Sequence, residues 1–211
     1  MRVSEDRYSR DLRRIQLAHR LIRHEARTYW IRAFTRFTEG RIRNLLRSYG
    51  LVAEGVQRHR GSPPRLYTRF VAAANHTEAS GFAGLACIRH LVPEEPVLNA
   101  WRALPSLEFG EAVCDAFELF RLIVPGATLN LDRMILLVMA LAERQLTVGH
   151  CSHCRATILL DPLGAKRRRC VSCERQPVPV AALSLDAEVA ELSEGAGQAG
   201  RGGRGRQHSL F

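Results

Sequence analysis

The sequence predicts a mostly α-helical protein with a small cysteine-rich module near its C-terminus. Through the N-terminal and central regions, apolar residues recur at spacings of three and four, the period of helices that bury one face. Two Cys-x2-Cys pairs then follow within a short stretch of the C-terminal third. The 211 residues, of which 46% are hydrophobic and 25% charged, suffice for one or two domains with a buried core.

Two helices are predicted in the first 50 residues. The apolar stripe over 4–36 predicts one long amphipathic helix whose other face is rich in arginine. Thr38 is expected to cap a second helix, about 39–49, that ends at Gly50. That helix carries Arg41, Arg43 and Arg47. A short capped helix directly after another fits helix-turn-helix geometry, although many helical hairpins share this spacing.

The central region is predicted to be helical and the C-terminal third to contain short strands. Helices are expected over 71–92, 97–104 and 107–123, followed by one capped by Asn130 whose stretch 134–142 is apolar on all sides. Short strands are expected at 157–160 and 178–181. Cys87 and Cys114, isolated in apolar helical surroundings, are interpreted as small core residues.

Positive charge is concentrated in the first third of the chain. Residues 1–70 contain 17 arginines and six acidic residues, whereas residues 71–211 contain 14 basic and 15 acidic residues. Such segregation indicates a polyanionic partner, because clustered cations release counterions from phosphates. A genomic preference for arginine would explain arginine in place of lysine, but not its position. The candidate DNA contacts are Arg41, Arg43 and Arg47, with Arg58, Arg60 and Arg65 of the loop 58–69 as second choices.

The cysteine pairs predict a structural zinc site in a zinc-ribbon-like module with four cysteine ligands. These ligands are Cys151, Cys154, Cys170 and Cys173, with 15 residues between the pairs. Four thiolates in tetrahedral geometry suit Zn²⁺ and leave no open position for a reacting water. His150 or His153 as a substitute ligand, and an iron–sulfur cluster, remain as alternatives. The basic run 166–169 either offsets the thiolate charge or faces DNA.

Composition divides the chain into four regions. These are an arginine-rich helical DNA-binding region over 1–70, a helical core and partner-docking region over 71–147, the four-cysteine zinc module over 148–182, and a Gly/Arg-rich tail over 183–211 that is expected to be disordered. The catalytic motifs of metalloproteases, zinc deaminases, P-loop proteins and α/β-hydrolases are missing from the sequence, so no enzyme is predicted. Without an apolar leader or membrane span, a cytoplasmic protein is expected.

Four segments together resemble the FlhC family, the larger subunits of the bacterial flagellar master transcriptional regulator. In chain order they are RDLRRIQLAHRLIRHEART, TEGRIRNLLRSYG, GSPP and the CxxC-x15-CxxC pattern. The resemblance covers about residues 10–175 and is loose between 70 and 125. The chain departs from the family after GSPP, where Arg65, Leu66 and Tyr67 follow, and in its Gly/Arg tail.

The resemblance implies a mostly helical fold with zinc on the four cysteines. It also implies a complex of two such subunits with four copies of a small helical partner, FlhD. That complex binds promoter DNA upstream of flagellar operons and recruits RNA polymerase as an activator. Two other functions stay open: an RNA- or ribosome-associated zinc-ribbon protein, and an assembly adaptor whose arginines pair with an acidic protein.

Overall fold

The computed structural model describes residues 2–48, 61, 67–164 and 167–175, and these residues are mostly helical, as predicted. Their eight α-helices are α1 (Arg2–Arg23), α2 (Thr28–Thr35), α3 (Glu39–Ser48), α4 (Ala73–Ile88), α5 (Ala100–Ala103), α6 (Leu107–Ile123), α7 (Leu131–Ala142) and α8 (Val171–Arg175). A 3-10 helix spans Tyr67–Phe70, and two strands, β1 (Thr147–His150) and β2 (Thr157–Leu160), complete the list. The chain divides into compact units at residues 1–171 and 172–211. None of the described helices is long and apolar enough to cross a membrane.

Helix α7 is the centre of the first unit. All residues over 134–142 are buried, as the apolar pattern predicted, and they are buried within this chain itself. The predicted cap is confirmed, since the Asn130 side chain accepts a hydrogen bond of 3.1 Å from the backbone N–H of Arg133. Helices α4, α5 and α6 pack against α7. A helix that is apolar on every side needs such neighbours all round it.

The predicted single helix over 4–36 is wrong, because the chain breaks between α1 and α2. Glu25 has a left-handed φ of 55°, and Ala26 N–H donates to Leu21 O over 2.9 Å, closing a Schellman motif. The backbone N–H of Arg27 then donates to the carboxylate of buried Asp132 over 3.0 Å. The break folds α2 back along α1, and apolar residues of both helices contribute to the core.

The remaining central helices differ from prediction mainly at their ends. Helix α6 has the predicted bounds, whereas α4 and α5 are shorter than the predicted 71–92 and 97–104. Helix α4 ends in a second Schellman motif, where His90 has a φ of 54°. Cys87, in the last turn of α4, is exposed rather than part of the core. Cys114 is fully buried, as expected.

A β-hairpin follows α7, and the first cysteine pair lies in the turn between its two strands. Strand β2 was predicted, but β1 was not; they pair antiparallel, with Thr147 opposite Leu160 and His150 opposite Thr157. Side chains of α4 hydrogen-bond to the backbone of β2: Leu159 N–H donates to Ser80 Oγ over 3.0 Å, and its carbonyl lies 3.0 Å from His76 Nε2. All three residues are buried. The expected strand at 178–181 lies outside the described residues.

Candidate metal centre and basic surface

The four predicted zinc ligands lie close together. The sulfur atoms of Cys151, Cys154, Cys170 and Cys173 are all within 4.8 Å of one another, and the four cysteines could bind a metal ion. Cys154 Sγ and Cys170 Sγ are 3.7 Å apart. Tetrahedral zinc–sulfur bonds of about 2.3 Å place sulfurs about 3.8 Å from one another, so this separation fits a tetrahedral thiolate site. No described cysteine forms a disulfide.

Hydrogen bonds of the hairpin bring the cysteine pairs together. Directly after β1, Cys151 N–H donates to Ala156 O over 2.8 Å, which closes the tight turn that carries the first pair. Arg155, with a φ of 63°, reverses the chain at the end of this turn. Ser152 N–H donates to Arg168 O over 2.8 Å and so holds the segment that leads into Cys170 beside the first pair.

The environment of Cys151 favours its thiolate form. Hydrogen bonds from backbone N–H groups, first that of Cys154 and then that of Cys170, lower the pKa of Cys151 to about 6. The bond from Cys170 is 3.3 Å long. The thiolate is the form that ligates metal, so these N–H groups prepare a donor for a cation.

The alternative ligands and the neighbouring basic run are also described in part. His150 and His153 are both exposed, and neither belongs to the group of side chains that lie close enough together to bind one metal ion. Arg168 is exposed, and Lys166 lies outside the described residues. Both roles considered for the run at 166–169, the offset of thiolate charge and contact with DNA, stay predictions.

The three first-choice arginines lie on the exposed face of α3. Arg41, Arg43 and Arg47 are exposed, whereas Ile42 and Leu46 on the opposite side are buried against the core. This orientation follows from the interleaving of arginine with apolar residues at helical spacing. The second-choice residues Arg58, Arg60 and Arg65 lie outside the described residues.

Helix α3 begins with the cap that the sequence predicted. Thr38 Oγ1 accepts a hydrogen bond of 3.3 Å from the N–H of Arg41. The guanidinium of Arg41 lies 4.1 Å from the centre of the Phe37 ring, in a cation–π contact that fixes its side chain. Only Arg36, Phe37 and Thr38 separate α2 from α3, so the junction is tight.

Much of the arginine face of α1 is occupied by ion pairs within the protein. Arg20 Nη2 lies 2.6 Å from Asp115 and 2.9 Å from Glu118, both on α6. Arg13 Nε donates to Glu111 Oε1 over 3.1 Å. Sequence reasoning missed these partners because they are more than 90 residues away. The acidic residues of α6, spaced by three and four from Glu108 to Glu118, were the available signal.

Comparison with known proteins adds no identification. The sequence matches no protein-family model and no curated protein sequence. Fold and site geometry therefore provide the evidence for function, together with the motifs of the sequence.

Proposed function

We propose that the protein is a DNA-binding transcriptional activator subunit of the FlhC type. In this proposal it is cytoplasmic and regulatory rather than catalytic, and it joins FlhD in a complex of two C and four D subunits. The complex would bind upstream of flagellar operons and recruit RNA polymerase. The observation that carries the proposal is helix α3, on which Arg41, Arg43 and Arg47 all face solvent. The choice of flagellar promoter DNA as the target comes from the resemblance of four sequence segments to the FlhC family.

The geometry of α3 supports contact with a DNA duplex. The helix is capped, follows α2 across a tight junction, and buries one face while presenting three guanidinium groups on the other. A helix with this arrangement can enter or flank a groove, where arginine binds phosphate oxygens or the edge of guanine. Repeated exposed aromatic residues, which would stack unpaired RNA bases, are missing from its sequence.

We propose Zn²⁺ as the metal of the cysteine cluster. Four sulfur donors within 4.8 Å of one another favour zinc over magnesium or calcium, which take oxygen ligands. The ion would stabilise the hairpin region, since metal binding energy is folding energy in such small modules. Metal analysis of the purified protein by mass spectrometry should find one zinc per chain. Visible absorption with iron in place of zinc would support the iron–sulfur alternative instead.

For the partner subunit we propose docking at the exposed apolar end of α6. Leu122 is 78% exposed and Ile123 is 64% exposed, an unusual position for two neighbouring aliphatic side chains. Replacing both by aspartate should abolish co-purification with FlhD while leaving the helical content unchanged. Retained co-purification would place the partner elsewhere.

The experiment that tests the proposal is a fluorescence anisotropy titration. The chain, co-purified with FlhD, is added to labelled flagellar promoter DNA, with unlabelled promoter, unrelated duplex and structured RNA as competitors. The unlabelled promoter should compete far better than either of the others. Equal or better competition by RNA would support the RNA-associated zinc-ribbon function. Association of the chain with an acidic protein that persists after nuclease treatment would support the adaptor function.

Variants then locate the contact. Arg43→Ala or Arg47→Ala should weaken promoter binding and, where the lost contact is to phosphate, lower the slope of log affinity against log salt by about one unit. Arg133→Ala is the matched control, because Arg133 is an exposed arginine that belongs to α7 and not to α3. Equal affinity of all three variants and the parent protein would show that α3 does not contact DNA.

A further inference from the structure

Helix α6 directs all of its acidic side chains towards α1. They recur at spacings of three and four, which place them along one side of the helix, and they are Glu108, Glu111, Asp115 and Glu118. Arg13 Nε donates to Glu111, and Arg13 Nη2 lies 3.9 Å from Glu108. Asp115 and Glu118 both lie within 2.9 Å of Arg20 Nη2. These four carboxylates, the acidic row, thus oppose the two arginines of α1.

The acidic row resembles one strand of a nucleic acid in its spacing of charge. At a rise of about 1.5 Å per residue, carboxylates three or four positions apart follow one another about every 5 Å along the helix. One DNA strand carries a phosphate about every 3.4 Å along its axis. Both groups also offer a guanidinium two oxygens for a pair of parallel N–H donors. The row and a duplex therefore compete for the same side chains of α1.

Apolar contacts, rather than these ion pairs alone, hold α1 on α6. Leu17 and Leu21 of α1 are buried, and a Cβ on Gly110 of α6 would lie only 2.9 Å from Leu17 Cδ2. The side chain of Arg13 is 48% exposed and that of Glu108 is 70% exposed. Ion pairs at such exposure contribute little to stability. The pairing thus changes the charge that the surface presents more than it changes the fold.

We propose that the acidic row is an intramolecular competitor for phosphate, which withholds Arg13 and Arg20 from contact with DNA. The inference rests on the proposed function, since it assumes a duplex as the ligand, and it adds residues that determine specificity. Contacts to phosphate give affinity for any sequence, so removing two arginines from that contact lowers binding to unrelated DNA. A repulsive element of this kind raises specificity without any new contact to the preferred target.

Duplex binding by a variant that frees Arg13 tests the proposal. Glu108→Gln combined with Glu111→Gln removes both carboxylates from Arg13 while keeping the length of the side chains. With an unrelated duplex, fluorescence anisotropy should show an affinity about eightfold higher at 0.1 M salt and a slope of log affinity against log salt steeper by about one unit, as expected for one further phosphate contact. Glu94→Gln combined with Glu95→Gln is the matched control, because these exposed residues lie between α4 and α5 and the net charge changes equally. The control should change the affinity less than twofold.

A further substitution shows whether Arg13 is the side chain that is freed. Adding Arg13→Gln to the variant with both α6 substitutions should cancel the gain in affinity and in salt slope. Arg13→Gln alone should leave the salt slope of the parent protein unchanged. The proposal is overturned by parental affinity of the α6 variant for the unrelated duplex, by a gain that persists without Arg13, or by a lower salt slope in Arg13→Gln alone. Circular dichroism checks the fold, and Glu111→Gln alone, the smaller change, should give a gain in the same direction.

The proposed function is read from a different comparison in the same titrations. Preference of the parent protein for promoter over unrelated duplex tests the activator, whereas the change from the parent to the α6 variant tests the acidic row. A parent protein that prefers the promoter, with an α6 variant that binds unrelated duplex no better, refutes only the acidic row. A parent protein without that preference, with an Arg13-dependent gain in the α6 variant, refutes only the activator.

Discussion

Replacement of Gly110 by alanine tests the packing that positions α2, and with it α3. Gly110 is buried in α6 where α1 and α2 cross it. A Cβ at this position would lie 2.8 Å from Phe34 Cγ and 2.9 Å from Leu17 Cδ2. Phe34 and Leu17 are each 1% exposed, so neither side chain has free space into which it could move.

The expected cost follows from two opposing effects. Overpacking of a well-packed core destabilises by about 1–3 kcal/mol. Alanine in a helix is favoured over glycine by about 0.5–1 kcal/mol, which offsets part of that cost. We therefore expect Gly110→Ala to lower the free energy of unfolding by about 1–2 kcal/mol.

Gly81→Ala is the matched control. Gly81 lies within α4, and a Cβ there would meet Phe120 Cε2 at 3.5 Å, an ordinary contact. Only the helix-propensity effect then remains, and the variant should be stabilised by about 0.5–1 kcal/mol. Urea unfolding followed by circular dichroism measures both changes. If the two variants shift stability in the same direction, the close approach of α6 to α1 and α2 is refuted.

Three further predictions concern an ion pair, the hairpin and the proposed zinc ion. Burial raises the pKa of Glu118, but hydrogen bonds from Arg20 and His24 outweigh it and hold the pKa below its ordinary 4.5. The ionised carboxylate of Glu118 thus stabilises the fold at pH values above its ordinary pKa. This stabilisation is lost as the pH falls through the lowered pKa of the folded state. Glu118→Gln should therefore destabilise at neutral pH, and melting curves should converge with those of the parent in acid; a pH-independent gap would contradict this. Ser80→Ala should lower the free energy of unfolding by about 1–3 kcal/mol, because it leaves the buried N–H of Leu159 unsatisfied. An unchanged midpoint of urea unfolding would show that this hydrogen bond does not stabilise the fold. A strong chelator should speed hydrogen exchange in β1 and β2 while α7 stays protected, and unchanged exchange in the strands would show that metal does not hold the hairpin.

Elements with local signals could be predicted from the sequence. The side-chain caps Thr38 and Asn130 act within three residues of their own position, and the apolar run over 134–142 needs only its own composition to be recognised as buried. The four cysteines are a local signal of the same kind, because Cys-x2-Cys turns are short and their spacing carries the chemistry. For these features no knowledge of distant residues is necessary.

Features that depend on distant partners could not be predicted. The break after α1 uses Glu25, a residue with no special preference for a left-handed φ, and it is held by Asp132 more than 100 residues away. Strand β1 contains Gly149 and lacks a clear alternation of apolar and polar residues, so it is recognisable only beside β2. In both places tertiary contacts override a weak local pattern.

Not every arginine of the basic first third of the sequence is available to a ligand on the surface of the folded protein. Arg13 and Arg20 belong to the basic first third of the chain, yet their guanidinium groups lie against carboxylates of α6. A phosphate that recruited Arg20 would have to break contacts with two carboxylates, and these would then be left without their partner. The arginines of α3 have no such competitor within hydrogen-bond reach among the described residues, so a polyanion gains their full charge. Contact with nucleic acid is therefore expected at the arginines of α3 rather than at Arg13 and Arg20 of α1.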